Sequence, residues 1–303
     1  MVIKDTLLYL AQNQRLRDFV VQNKITRTAS RRFVAGEVLE DAVHATRALN
    51  ERGIQVALDL LGENVALKEE AAEATQAYMN AIELIGRTQI DANISIKLTA
   101  LGLDISPDLC EKNLLTILEC GHQHNVFVCI DMEASDYTEQ TVTMARNAYE
   151  QYKQVGTVIQ SYLYRSHDDI NQLVDQGVRI RLVKGAYKEP QSVAYQEKAD
   201  VDKNYIQLMQ ILLARGNFPA IASHDEAIID AACKFVRDHG ISKTSFEFQM
   251  LYGIRRDLQE KLVRQGYNMR VYVPYGSHWY PYLMRRMAER PANLMFVVTN
   301  SWR

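Results

Sequence analysis

The sequence is short of several features that would have fixed its class at once. Cysteine is scarce: four residues in 303, at Cys110, Cys120, Cys129 and Cys233, with no CxxC pair among them. Such scattered thiols suit a reduced compartment better than a disulfide framework. A basic excess is also missing. The formal net charge of -2 leaves no electrostatic footprint for nucleic acid, so none is expected as a partner. No apolar stretch approaches the ~20 residues of a membrane-spanning helix. The opening "MVIKDTLLYLAQNQRLRDF" places acids and amides where a secretion signal needs an apolar run and a cleavage site. The expectation is a cytoplasmic protein, with peripheral contact at the inner face of the cell membrane left open. Finally, there is no GxGxxG, the phosphate turn of a doubly wound dinucleotide fold.

What is present is a long alternation. Residues 1–50 read as a helical arm, with "DTLLYLAQNQRLRDFVVQN" and "AGEVLEDAVHATRALNERG" carrying apolar residues at helical spacing and Gly53 as a stop. From 51 to 303 the texture changes. Eight short runs of strand length follow: 54–60, 93–99, 126–132, 157–163, 179–185, 219–225, 244–250 and 269–275. Most begin as continuous apolar stretches, as strands covered on both faces do. Amphipathic segments such as "ALKEEAAEATQAYMNAIELIGRT" separate them. Gly121, Gly177, Gly216, Gly240 and Gly266 precede the third and the fifth to eighth runs as helix stops, while Pro107 and Pro281 suit a helical first turn. Eight strands alternating with helices over about 250 residues predicts an α/β fold of the (βα)8 TIM-barrel type, preferred over an open sheet.

A barrel places its active site at the C-terminal strand ends. Polar residues collect there: Asp59, Lys97, Asp131, Gln160, Arg181 with Lys184, His224, Glu247 with Gln249, and Tyr272. Buried charge is costly unless paired or bound to a ligand, so the ring implies a cavity that handles both signs. Salt bridges closing the barrel top, such as Lys97 with Asp131, are the plainer reading. Asp131, Glu133, Glu247 and His224 could in principle hold a metal, but Lys97, Arg181 and Lys184 would share that cavity, and none is expected. Lys97 or Lys184 could form a Schiff base, as in an aldolase or lyase. Late in the chain, "YLMRR" sets Arg285 beside Arg286, with Tyr282 one turn earlier on an expected helix. Adjacent guanidiniums need a shared anion or several acceptors, and on these grounds alone a structural carboxylate and a substrate carboxylate or phosphate all stay open.

An ordered series of segments resembles the proline dehydrogenase family, flavin enzymes that oxidise L-proline. They are "DLLGE" (59–63), "SIKLTALGLD" (95–104), "CIDMEAS" (129–135), "VIQSYLYRS" (158–166), "RLVKGAYKE" (181–189), "FEFQMLYG" (246–253) and "VYVPYGSHWYPYLMRR" (271–286). The resemblance implies a distorted (βα)8 barrel with noncovalently bound FAD. It implies that Arg285, Arg286 and Lys97 meet the proline carboxylate, and that Leu251, Tyr272 and Tyr282 surround its ring. Asp131 orders the substrate end. Arg181 lies by the reactive flavin nitrogen and Gln160 by the pyrimidine edge. Met132, Lys184, Gly185, Ala186, Ser223 and His224 contact the cofactor further along. Where many relatives read "THN", this chain reads "SHD" at 223–225, which puts the role of Asp225 in doubt. The resemblance further implies a quinone as electron acceptor. It also implies a separate pyrroline-5-carboxylate dehydrogenase to take the product, since the expected barrel leaves no length for a second catalytic domain.

Overall fold

The structure, a computed structural model, describes the backbone of residues 31–289 and the side chains of 31–284. Residues 1–30 of the expected arm lie outside it. The described elements are α1 (Leu39–Asn50), β1 (Gln55–Leu60), α2 (Lys68–Thr88), β2 (Ala92–Ile96), α3 (Pro107–His124), β3 (Val128–Ile130), α4 (Thr138–Gln151), β4 (Val155–Gln160), α5 (Ser166–Gln176), β5 (Arg179–Val183), α6 (Lys198–Arg215), β6 (Ala220–Ala222), α7 (Glu226–Asp238), β7 (Glu247–Leu251), α8 (Arg256–Arg264), β8 (Asn268–Tyr275) and α9 (Trp279–Glu289). Each of the eight apolar runs overlaps one strand, with β2, β4, β7 and β8 reaching one or two residues beyond it. All neighbours pair in parallel, and β8 pairs back onto β1, so the sheet is a closed barrel.

Local chemistry sets the helix ends. Ser106 caps α3 by accepting from the Leu109 amide, and Pro107 fills the first helical position. Gly177 ends α5 in the left-handed conformation at φ 85°, which a glycine adopts without the Cβ clash. α1 lies against both β1 and β8 and so covers the seam where the barrel closes. Its Ala42, Val43 and Leu49 belong to the same apolar core as the strands. Just before it, residues 35 and 36 follow the end of β8: the Ala35 amide donates to Pro274 O and the Gly276 amide to Gly36 O, both at 2.9 Å. The Trp279 indole then donates to Glu37 Oε1 at 3.1 Å, fixing the start of α9 beside that segment.

The barrel floor is charged. Glu247, fully buried, accepts from Arg270 Nε through both oxygens at 3.0 Å and meets Arg179 Nη2 at 2.8 Å. The Arg179 guanidinium lies over the rings of Phe127 and Phe218, 4.6 and 4.5 Å from their centroids. Burial works against the Glu247 carboxylate, yet Arg270 and Arg179 outweigh it and hold its pKa below the ordinary value. This corrects one expectation. Glu247 is the first residue of β7, not one of its last, so it plugs the floor and does not face the mouth.

Candidate active site

The opposite end of the barrel carries a connected polar network. Asp59 on β1 pairs in register with Ser95 on β2, which gives the two side chains the same parity. Lys97 follows β2 by one residue and ion-pairs with Asp59. Its ammonium is also 4.0 Å from Asp131 Oδ2, just beyond β3. Arg181, on β5, donates from Nη1 to Asp131 Oδ1 at 2.7 Å and from Nη2 to Ser95 Oγ at 2.9 Å. Tyr272 on β8 completes the set: its hydroxyl donates to Asp131 Oδ2 at 2.6 Å, and its ring centroid is 5.3 Å from the Arg181 guanidinium carbon.

Two carboxylates and two cations thus sit in one buried cluster with no formal excess. Burial opposes the Lys97 charge, but Asp59 and Asp131 overcome it and hold its pKa well above the ordinary lysine value. Burial, followed by the Asp131 carboxylate, pushes the Tyr272 phenol well above its usual range, so it stays a donor. Nearby, Glu133 accepts from the Thr99 hydroxyl and amide, and burial raises its pKa.

A second group gathers past β5 and β6. Lys184 is held by Asp202 Oδ1 at 2.5 Å and Asp225 Oδ2 at 2.8 Å. Asp225 also caps α7 through the Ala227 amide, and its own amide donates to Ser223 Oγ at 3.1 Å. Asp225 thus serves here as a helix cap and as a counter-ion. His224 Nε2 accepts from the Leu251 amide at 2.9 Å, tying the end of β7 to β6. Gly185 has φ 116°, and a Cβ there would lie 2.6 Å from ring carbons of Tyr162. Ala186 follows in the same loop. Glu189 at the loop's far end accepts from the Ser135 amide at 2.8 Å and from the Tyr162 hydroxyl at 3.4 Å, joining it to the segment after β3.

The comparisons with known proteins bear directly on this mouth. The family model described as proline dehydrogenase matches residues 42–299. Proline dehydrogenase 1 of Bacillus subtilis (strain 168) is 43% identical over 297 residues, 98% of each chain. Proline dehydrogenase of Deinococcus radiodurans is 46% identical over 272 residues, 88% of each chain. The chain belongs to the proline dehydrogenase family. Among solved structures, proline utilization A of Bdellovibrio bacteriovorus, in a form inactivated by N-propargylglycine, is similar with a TM-score of 0.82 and 27% identity. That match covers 90% of this chain and spans 34% of the other.

Family membership orders the residues found here. Lys97, Asp131, Arg181 and Tyr272 come together as one contact network, while Lys184, Ser223, His224 and Leu251 form the neighbouring group. Met132 is buried beside Asp131 in sequence, and Tyr282 is buried on α9. Arg285 and Arg286 lie on the α9 backbone, and their side chains fall outside the described ones. The Schiff-base alternative gains no support: a lysine held cationic by two carboxylates, as Lys97 is, is a poor nucleophile. Two buried atoms at the mouth, Gln160 Oε1 and Arg181 Nε, have no partner among the described residues. One is an acceptor and the other a donor, which fits the alternating N–H and C=O groups along a flavin's polar edge. Gly185, having no side chain, lets the loop backbone pack directly against the Tyr162 ring.

Ser95 and Asp202 are site residues that motif reading passed over. Ser95 carried one usable signal, a hydroxyl inside the apolar run "NISIKL". Asp202, in the middle of an amphipathic helix, carried none.

Proposed function

We propose that the protein oxidises L-proline to Δ1-pyrroline-5-carboxylate, using noncovalently held FAD and passing the electrons to a membrane quinone. The observation that carries the cofactor part is that two buried atoms at the barrel mouth, Gln160 Oε1 and Arg181 Nε, have no partner among the described residues, in a chain of this family. FAD, when bound, would supply the hydride acceptor for the ring CH2 beside the proline nitrogen, the neighbour that does not carry the carboxylate. The nitrogen must enter that step unprotonated and loses its remaining proton as the C=N bond forms. Asp131 and Arg181 are the catalytic pair in this reading. Asp131 fixes Arg181 and the Tyr272 hydroxyl, and Arg181, whose Nε is not used by that ion pair, offers a hydrogen-bond donor to the electron-accepting ring. Gln160 takes the pyrimidine edge. Met132, Lys184, Gly185, Ala186, Ser223 and His224 hold the rest of the cofactor. Lys97 joins Arg285 and Arg286 at the substrate carboxylate, with Leu251, Tyr272 and Tyr282 around the ring. Orientation of the two reactants supplies a share of the rate, on the order of 7–11 kcal/mol in favourable model systems.

The reaction is the first step of proline catabolism, and a separate pyrroline-5-carboxylate dehydrogenase would take the product. Among the described residues no helix is long and apolar enough to cross a membrane. A cytoplasmic protein that reaches its quinone by peripheral contact at the inner membrane face accords with that. The test is spectroscopic. The purified protein should be yellow, and its flavin absorption should bleach when L-proline is added without oxygen. A colourless protein that FAD cannot reconstitute would refute the reading.

A further inference from the structure

On the outer wall of the barrel, α2 and α3 pack side by side. A groove of about 730 Å³ runs along them. Three metal-ligating side chains of different chemistry converge there: Glu83 from α2, and Cys120 and His124 from α3. One ligand atom from each lies within 4.8 Å of the other two. Cys120 and His124 are four residues apart on one helix, so the sulfur and the imidazole share a face. Gly86 on α2 stands against the imidazole, and a Cβ there would lie 2.8 Å from His124 Nδ1. A glycine inside a helix costs about 1 kcal/mol relative to alanine; here it leaves the histidine its place. His124 is also the last residue of α3, where unpaired carbonyls favour a cation. The groove is acidic along its length, lined by Asp108, Glu111 and Glu119, with Lys112 as the one lysine or arginine among the described residues that line it.

We propose that Glu83, Cys120 and His124 bind a thiophilic divalent cation of the zinc type, with water as the fourth ligand, clamping α2 to α3. The donor set of one thiolate, one imidazole and one carboxylate is a borderline-soft one that suits zinc. Tetrahedral zinc at ordinary bond lengths holds its ligand atoms roughly 3.4–3.6 Å apart, so the trio needs to close by no more than about 1.4 Å on binding. The exposed Glu83 side chain supplies that movement. Burial, followed by Glu83, raises the pKa of the Cys120 thiol, so without a cation it stays protonated. Binding forms the metal–sulfur bond and releases that proton to solvent. The absence of a metal expected from the sequence concerned the strand ends, and this trio lies away from them.

The experiment uses the flavin-loaded full chain, freed of metal with a chelator and titrated with Zn2+ against a chromophoric competitor. One equivalent per chain is expected, with at least tenfold weaker binding in His124→Gln and in Glu83→Gln. Both are changes at partly or fully exposed positions that leave the fold intact. Co2+ in place of Zn2+ should give intense visible bands at wavelengths beyond the flavin's absorption, present in Cys233→Ser and lost in Cys120→Ser. Absence of stoichiometric binding, or binding and bands that persist in the His124, Glu83 and Cys120 variants, would overturn the proposal.

Discussion

Replacing Asp131 with asparagine tests the mouth network most directly. The carboxylate accepts from Arg181 at 2.7 Å and from the Tyr272 hydroxyl at 2.6 Å. The Arg181 and Asp131 side chains are 6% and 11% exposed, so water screens their attraction little. Hydrogen bonds to a charged group each contribute about 1.5–3 kcal/mol, and removing one partner of a buried ion pair costs about 3–5 kcal/mol. Asparagine keeps a carbonyl for one donor, but it turns an amide donor toward a site already rich in donors. It also leaves Lys97 and Arg181 facing Asp59 as the remaining anion of the cluster. We therefore expect Asp131→Asn to lose about 3–4 kcal/mol of unfolding free energy. The assay is urea unfolding, with and without added FAD at one fixed concentration, reading a shift in midpoint at unchanged slope. The sharper measurement is a double-mutant cycle with Arg181→Met. Once the cation is gone, the loss of the carboxylate should cost far less, and the coupling should exceed about 1 kcal/mol. Single effects that simply add, or an Asp131→Asn loss below about 1 kcal/mol, would refute the argument that these charges stabilise each other.

Three further outcomes are expected. Gly185→Ala forces a non-glycine residue to φ 116° and drives a methyl into the Tyr162 ring; retained FAD per chain should fall at least tenfold after gel filtration, and full flavin loading would show that this packing does not shape the cofactor loop. Glu247, whose pKa is depressed by Arg270 and Arg179 in spite of burial, contributes stability that is present above the unfolded glutamate value of about 4.3 and lost as pH falls through the folded value. Urea midpoints between about pH 6 and pH 3 should therefore fall more steeply for the wild type than for Glu247→Gln, and parallel curves would count against the floor charges. Tyr282, buried on α9, should exclude a ring hydroxyl; Tyr282→Ser is expected to raise kcat/KM for trans-4-hydroxyproline relative to proline, and equal ratios in both proteins would remove it from specificity.

The fold was largely legible because a strand covered on both faces must be apolar along its length, and eight such runs alternated with helical ones. What one sequence does not carry is where a run begins. "TSFEFQM" holds Glu247 in its middle, and only the pairing of Glu247 with Asn268 shows that the strand starts there and sends the carboxylate to the floor. Partners far apart in sequence were invisible for a related reason. Ser95 meets Arg181 across 86 residues, and Asp225 meets Lys184 across 41. Each pairing depends on the order of strands around the barrel, which no local pattern encodes.

The network also bears on how the substrate carboxylate is met. Lys97 is already neutralised by Asp59, with Asp131 at 4.0 Å, and Arg181 is neutralised by Asp131. An incoming carboxylate therefore gains little net attraction from these two cations, because their own counter-ions repel it at nearly the same distance. The main positive charge must come from outside the cluster. In the proposed reading that is Arg285 and Arg286, which matches the need of adjacent guanidiniums for a shared anion. A ranking follows. Titrated by flavin spectrum with a carboxylate analogue of proline that cannot be oxidised, Arg285→Met and Arg286→Met should each weaken binding by tenfold or more, about 1.4 kcal/mol, while FAD stays bound. Lys97→Met should weaken it by less than either. That variant should show its larger effect in unfolding, because it strands Asp59, which is nearly inaccessible to water. If Lys97→Met instead abolishes analogue binding while both arginine variants bind normally, the carboxylate sits inside the cluster and the charge argument fails.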